Sequence, residues 1–194
     1  MFHPTIIDLQ YFQELHDKRY HLDIYSKPLM ARVAHLHQHL VKYSSSEVKR
    51  NQTYPDALAC VLSIANAINL NISSGYLLIE QSVTNLDDIP QVYHDDYLVE
   101  QYRIELGKLA KQLEGFDHVE PLEYRKQIGA SIVTVLSILV QLYRSDGPTG
   151  FVFESAYLKK LIEIKSKSIF FPHYHTADYS DPTYKSIYRF AELN

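Results

Sequence analysis

Three histidines alternate, His35, His37 and His39, in a stretch with helical apolar spacing. His35 and His39 are one turn apart, which lets two imidazoles share a divalent metal. No carboxylate or cysteine stands nearby in sequence to complete such a site. The run therefore reads first as a solvated helix face, with His37 turned toward the apolar side. A second pair, His173 and His175, lies in FFPHYHTADYSD with Asp178 and Asp181. Alternate residues of an extended segment point the same way, a geometry suited to a metal, although the aromatic neighbours favour a docked tail. Arg32 and Lys108 flank apolar stripes. Such cations either keep their heads in water or bind phosphate oxygens directly, Arg through its planar fork. Thin polar lines cross two otherwise apolar stretches: Ser63, Asn66 and Asn69, and then Ser131, Thr134, Ser137 and Gln141. They suit hydrogen bonding inside a bundle or the lining of a pocket. Cys60 has no basic neighbour and reads as a structural thiol. No GxGxxG, Walker A loop, GxSxG or CxxC occurs, and 6 glycines leave little for phosphate-cradling loops.

These residues are carried by helices. Ile6, Leu9, Phe12 and Leu15 give the first an apolar face, predicted over residues 5–25. Ser26 as N-cap and Pro28 in the first turn open a second, with Leu29, Val33, Leu36 and Leu40 as its stripe. A third is expected from Thr53 or Tyr54, with Pro55 in its first turn, to the Asn/Ser cluster before Gly75. A fourth repeats the +4, +3, +4 spacing of the second with Leu98, Tyr102, Leu106, Leu109 and Leu113, stopping near Gly115. A fifth runs from Pro121 to Tyr143, closed by the turn signal Ser145-Asp146-Gly147-Pro148. A sixth covers residues 155–165, and a short helix is expected near 184–193 after an irregular aromatic tail. No convincing strand pattern occurs. The tetrapeptide VLSI stands at 61–64 and again at 135–138, in the third and fifth helices. One helical hairpin is used twice, so the expected architecture is a single all-α domain over 1–194. Its internal repeats fall at about 8–72 and 98–145, followed by a C-terminal helix and tail over 149–194.

Hydrophobic residues make up 46% of the 194 and charged residues 22%, enough for an ordinary core. A net charge of −4 argues against a dedicated nucleic-acid binder. One cysteine excludes an internal disulfide framework and fits a reducing, cytoplasmic setting. The start, MFHPTIIDLQ, lacks the pattern of a signal peptide. The uncharged stretch 127–143 falls short of the roughly 20 residues of a membrane span, so no membrane association is expected. The 16 tyrosines offer apolar area with a polar tip, suited to interfaces.

The segments LMARVAHLHQ and IELGKLAKQLEG, with DALACVLSI and GASIVTVLSI, resemble the paired helices of MazG-like all-α nucleoside triphosphate pyrophosphohydrolases. In that family an ExxE pair faces an ExxD pair, and the four carboxylates hold Mg²⁺ for triphosphate hydrolysis. The resemblance puts the ExxE positions on Arg32 and His35 and the ExxD positions on Ala57 and Cys60. In the second repeat they fall on Glu105 and Lys108, and on Ser131 and Thr134. Only Glu105 keeps a carboxylate. The resemblance therefore implies a catalytically degenerate protein without the family's metal, leaning away from an enzyme. It would bind a nucleotide or nucleotide-like ligand as a sensor or sequestering module, with Arg32, His35, Glu105, Lys108, Ser131 and Thr134 as ligand contacts. It also implies either a monomer with an internal pseudo-dimer or a homodimer. Two alternatives stay open. One is an interaction bundle using the aromatic tail. The other is an active Mg²⁺-dependent pyrophosphohydrolase with acids drawn from Asp56, Asp95, Asp96, Glu100 and Glu105.

Overall fold

A computed structural model describes residues 4–21, 25–45, 50–77, 82–91, 93–118, 121–146 and 153–166. Among them every regular element is helical: α1 (Ile6–Tyr20), α2 (Leu29–Ser45), α3 (Arg50–Ala67), α4 (Ile72–Leu77), α5 (Leu98–His118), α6 (Pro121–Asp146) and α7 (Phe153–Ser166). Two 3₁₀ turns, Leu86–Asp88 and Asp95–Tyr97, lie between α4 and α5. The expected C-terminal helix, His173, His175, Asp178 and Asp181 lie outside the described residues.

Consecutive helices pack as two hairpins, α2 on α3 and α5 on α6, and the hairpins meet through α2 on α5 and α3 on α6. This is an all-α helical bundle. The α2 stripe of Val33, Leu36 and Leu40 is buried, as are Leu98, Tyr102, Leu106, Leu109 and Leu113 of α5. Both VLSI segments are buried throughout, including Ser63 and Ser137. Each fully buried Leu or Ile contributes about 1.5–3 kcal/mol over leaving it in water, so the core between the two hairpins contributes substantially to stability. The imidazole of His37 crosses between the hairpins, its Nε2–H donating to the Leu106 carbonyl at 2.8 Å.

Around this core α1 packs on α3 and α4, and α7 packs on α3 and α1. A capping box starts α1. Asp8 N–H donates to the Thr5 hydroxyl at 3.1 Å, and Thr5 N–H donates to the Asp8 carboxylate at 2.8 Å. The helix ends at Tyr20, not Tyr25, because His21 leaves helical geometry while its N–H still reaches Asp17 O. Leu29, expected in the α2 stripe, is 37% exposed. Pro55 sits inside α3, which starts at Arg50 rather than Thr53. At its far end Asn69 adopts φ 53°, and its N–H bonds Asn66 O while Leu70 N–H bonds Ala65 O. That Schellman closure turns the chain before Asn71 re-starts it as α4, its side chain accepting from Ser74 N–H at 3.2 Å. The helix α5 runs past Gly115 to His118. By length and composition the 21 residues Arg125–Ser145 of α6 suffice to cross a membrane, more than the sequence estimate allowed; 78% of their most apolar window is buried inside the bundle.

Gly75 of α4 lies against α6. A Cβ there would stand 2.6 Å from Val133 Cγ2. Val is rotamerically stiff in a helix, so Gly75→Ala should destabilise by about 1–2 kcal/mol, overpacking outweighing the propensity gain of Ala. Thermal denaturation of Gly75→Ala beside Gly75→Ala/Val133→Ala checks this, with the double variant recovering part of the loss.

Candidate functional site

A pocket of about 130 Å³ opens where α1, α2 and α3 converge. Each helix offers residues one turn apart. Gln13 and Asp17 come from α1, with His21 just beyond its end; Arg32, Leu36 and His39 come from α2; Asp56, Ala59, Cys60 and Ser63 come from α3. Tyr25 completes the wall. Two carboxylates, two imidazoles and one guanidinium thus share a small space.

The carboxylate of Asp17 is held from two sides. The Ser63 hydroxyl donates to its Oδ2, and Gln13 Nε2 donates to its Oδ1 at 2.7 Å. Gln13 is itself fixed by the buried Tyr157 of α7, whose hydroxyl donates to Gln13 Oε1 at 2.7 Å. Burial raises the Asp17 carboxyl above its ordinary range, and these hydrogen bonds offset only part of that. Burial likewise raises Asp56, opposed by Lys160 of α7, whose Nζ stands 3.3 Å from Asp56 Oδ2. His39 is lowered by burial and by the neighbouring His35 and Lys42. Burial pushes the Cys60 thiol up, which keeps it protonated and a poor nucleophile.

The guanidinium of Arg32 stacks over the Tyr25 ring, 4.6 Å from its centroid, and its Nε is buried without a hydrogen-bond partner among the described residues. The Tyr25 hydroxyl donates to Glu14 Oε1 at 2.6 Å, and Lys18 pairs with the same oxygen at 2.8 Å. Burial tends to raise Glu14, but the bonds from Lys18 and Tyr25 bring it below the ordinary carboxylate range. Arg32 therefore sits at the pocket with its carboxylate neighbour already engaged.

Behind this wall His16 is 2% exposed, and neither ring nitrogen makes a hydrogen bond of normal geometry, although the Leu161 backbone faces the ring. Burial, helped by the charge of His21, lowers it to about 3.

Of the six sequence-proposed contacts, only Arg32 lines the pocket. His35 does not border the pocket but lies beside His39, which does, ring centroids 4.7 Å apart; all three histidines of the run are half-buried rather than fully solvated. Glu105 is buried and paired with Lys108 at 2.5 Å. Ser131 is buried, and the Thr134 hydroxyl donates back to the Ala130 carbonyl at 3.0 Å. None of these four borders the pocket. Asp56 does, one residue from Ala57, while Asp95, Asp96 and Glu100 are exposed near the start of α5. Asp17, His21 and Gln13 escaped sequence reading; their i, i+4 and i+8 spacing was the available signal. A second groove of about 350 Å³, between α1 and the α3–α4 turn, is shallower, and Gln10, Asn66 and Leu70 along it are bonded to one another.

Comparison of the chain with protein-family models, with curated proteins and with solved structures finds no match.

Proposed function

We propose that this chain is a MazG-like, catalytically degenerate helical protein that binds a nucleotide or nucleotide-like ligand in the α1–α2–α3 pocket, as a sensor or sequestering module. The observation that carries the reading is Arg32. A guanidinium stacked on an aromatic ring, with a buried Nε lacking a partner, is arranged to take an acceptor such as a phosphate oxygen. At about 130 Å³ the pocket is well below the roughly 300–1,000 Å³ of a site for a whole drug-sized ligand. It seats one group, and the remainder of the ligand lies across its mouth. The two VLSI hairpins support a tandem-repeat origin, with one chain as an internal pseudo-dimer or as half of a homodimer. The net charge of −4 supports a small ligand over nucleic acid, and the lone buried cysteine supports a cytoplasmic setting.

One observation favours a second reading. Asp17 and Asp56 border the same pocket, so an active Mg²⁺-dependent pyrophosphohydrolase could draw on both. Against it stand Arg32 and the pairing of Asp56 with Lys160.

A thermal-shift panel of nucleoside mono- and triphosphates, each with Mg²⁺ and with EDTA, tests the reading. Ligand at a hundred times its Kd stabilises the fold by about 2.7 kcal/mol. The expected result is a shift that survives EDTA and weakens about ten- to a hundredfold in affinity in Arg32→Gln, the loss of a charged hydrogen bond. A shift needing Mg²⁺, with pyrophosphate release abolished in Asp56→Asn, would favour the enzyme. No shift with any nucleotide would leave the interaction bundle ahead.

A further inference from the structure

The structure also places a histidine, an aspartate and a second histidine together at the end of α1. One ligand atom from each of His16, Asp17 and His21 lies within 4.8 Å of the other two. We propose that these three residues bind a borderline divalent transition-metal ion, with Zn²⁺ as the representative. The inference goes beyond the nucleotide reading and does not depend on it.

The donor set decides the class of ion. Two imidazoles and one carboxylate suit Zn²⁺ or Fe²⁺, whereas Mg²⁺ and Ca²⁺ take oxygen ligands. His16 supplies the independent sign of a missing partner. It is 2% exposed, and neither ring nitrogen makes a hydrogen bond of normal geometry, the Leu161 backbone facing the ring without satisfying it. An apolar residue would fill that position without stranding two polar atoms, and a bound ion would give the imidazole the partner it lacks. The His16 and His21 ring centroids are 5.3 Å apart, as two imidazoles converging on one point require. Bonds of about 2.0–2.2 Å bring tetrahedral ligand atoms roughly 3.4 Å apart, within reach of a small side-chain adjustment from the observed cluster.

The surroundings supply an outer shell. Gln13 and Ser63 each bond one oxygen of Asp17, leaving lone pairs for an ion, and Tyr157 holds Gln13 in turn. Leu161 of α7 presents backbone to the His16 ring. Three protein ligands leave one tetrahedral position open. Because Asp17 and His21 both line the pocket, an oxygen of a molecule bound there could complete the coordination.

The test uses the full chain, stripped with EDTA and titrated with Co²⁺ alone, read by its visible absorption, with Zn²⁺ added as competitor. The expected result is one Co²⁺ per chain, displaced by Zn²⁺, with affinity falling at least tenfold in His21→Ala, a half-buried position beyond the helix end. His39→Ala and the His173→Ala/His175→Ala pair should bind as the parent does. His16→Gln should lose binding while keeping its helical circular dichroism; if it does not fold, His21→Ala decides. Binding unchanged in His21→Ala, binding lost instead in His39→Ala or the tail pair, or no binding at all overturns the proposal.

Discussion

Taking the metal-free protein from pH 6.5 to about pH 3 should remove roughly 5 kcal/mol of unfolding free energy through His16 alone. The figure is 6.5 − 3, or about 3.5 pH units, at 1.36 kcal/mol each. In the folded state His16 stays neutral down to about pH 3, whereas in the unfolded chain it takes up a proton below about 6.5. The unfolded state therefore binds the extra proton, and stability falls as pH falls through that window. His39, lowered less, adds a slope of the same sign. Asp17 and Asp56 act oppositely. Their folded values are raised above 3.8, so the folded state protonates first and gains stability as pH falls toward 3.8. The His16 contribution is thus cleanest about one pH unit below 6.5, where the unfolded imidazole is almost fully protonated and the slope approaches 1.4 kcal/mol per pH unit. Urea denaturation in EDTA at pH 7, 6 and 5 measures it. His16→Leu, which keeps an apolar filling and removes the titrating group, should flatten the slope. The same slope in the parent and in His16→Leu would mean that His16 is protonated in the fold.

The apolar skeleton of the bundle was legible because its helices each bury one stripe. Val33, Leu36 and Leu40, or Tyr102, Leu106, Leu109 and Leu113, recur at helical spacing, and the repeat of VLSI marks the two most buried helices. The N-terminal helix was legible only on one side. Ile6, Leu9 and Phe12 are buried as expected, but so are Gln10, Gln13 and His16 on an adjoining face. Helix α1 lies against α3, α4 and α7 together, and single-stripe periodicity assigns such polar residues to solvent. The same cause hid most of the pocket. Arg32 showed as a cation beside an apolar stripe and Asp56 as one of several candidate acids, whereas Asp17 and His21 acquire meaning only from how three helices cross. Pro55 misled the start of α3 because proline usually marks a first turn, and here the helix tolerates it farther in. Nothing local ends α1 at Tyr20, since neither glycine nor proline stands there. The serines of the two VLSI segments have different surroundings: Ser63 bonds Asp17 of α1 at the pocket, while Ser137 bonds Tyr76 of α4 at 2.7 Å inside the core.

Gln10→Ala should destabilise the fold by about 2–4 kcal/mol, far beyond the usual effect of trimming a polar helix residue. Its side chain is the latch between α1 and the Schellman turn after α3. Nε2 donates to Asn66 Oδ1 at 3.0 Å and to the Leu70 carbonyl at 2.8 Å, while Oε1 accepts from the buried N–H of Ile72 at 3.1 Å. The amide of Asn66 answers by donating to the Gln10 carbonyl at 2.8 Å. Truncation strands one donor and two acceptors, each costing about 1–3 kcal/mol when buried; water entering from the adjacent groove relieves part of that. For a chain of 194 residues the loss corresponds to a Tm lower by roughly 4–16 °C. Gln10→Met separates the causes. It restores volume but offers no hydrogen bonds, so a Tm still depressed identifies the amide network, whereas recovery would assign the loss to packing. The Gln10→Ala/Asn66→Ala double variant should cost less than the sum of the singles by about 1 kcal/mol, because the two amides share bonds and the second removal deletes groups that the first had already stranded.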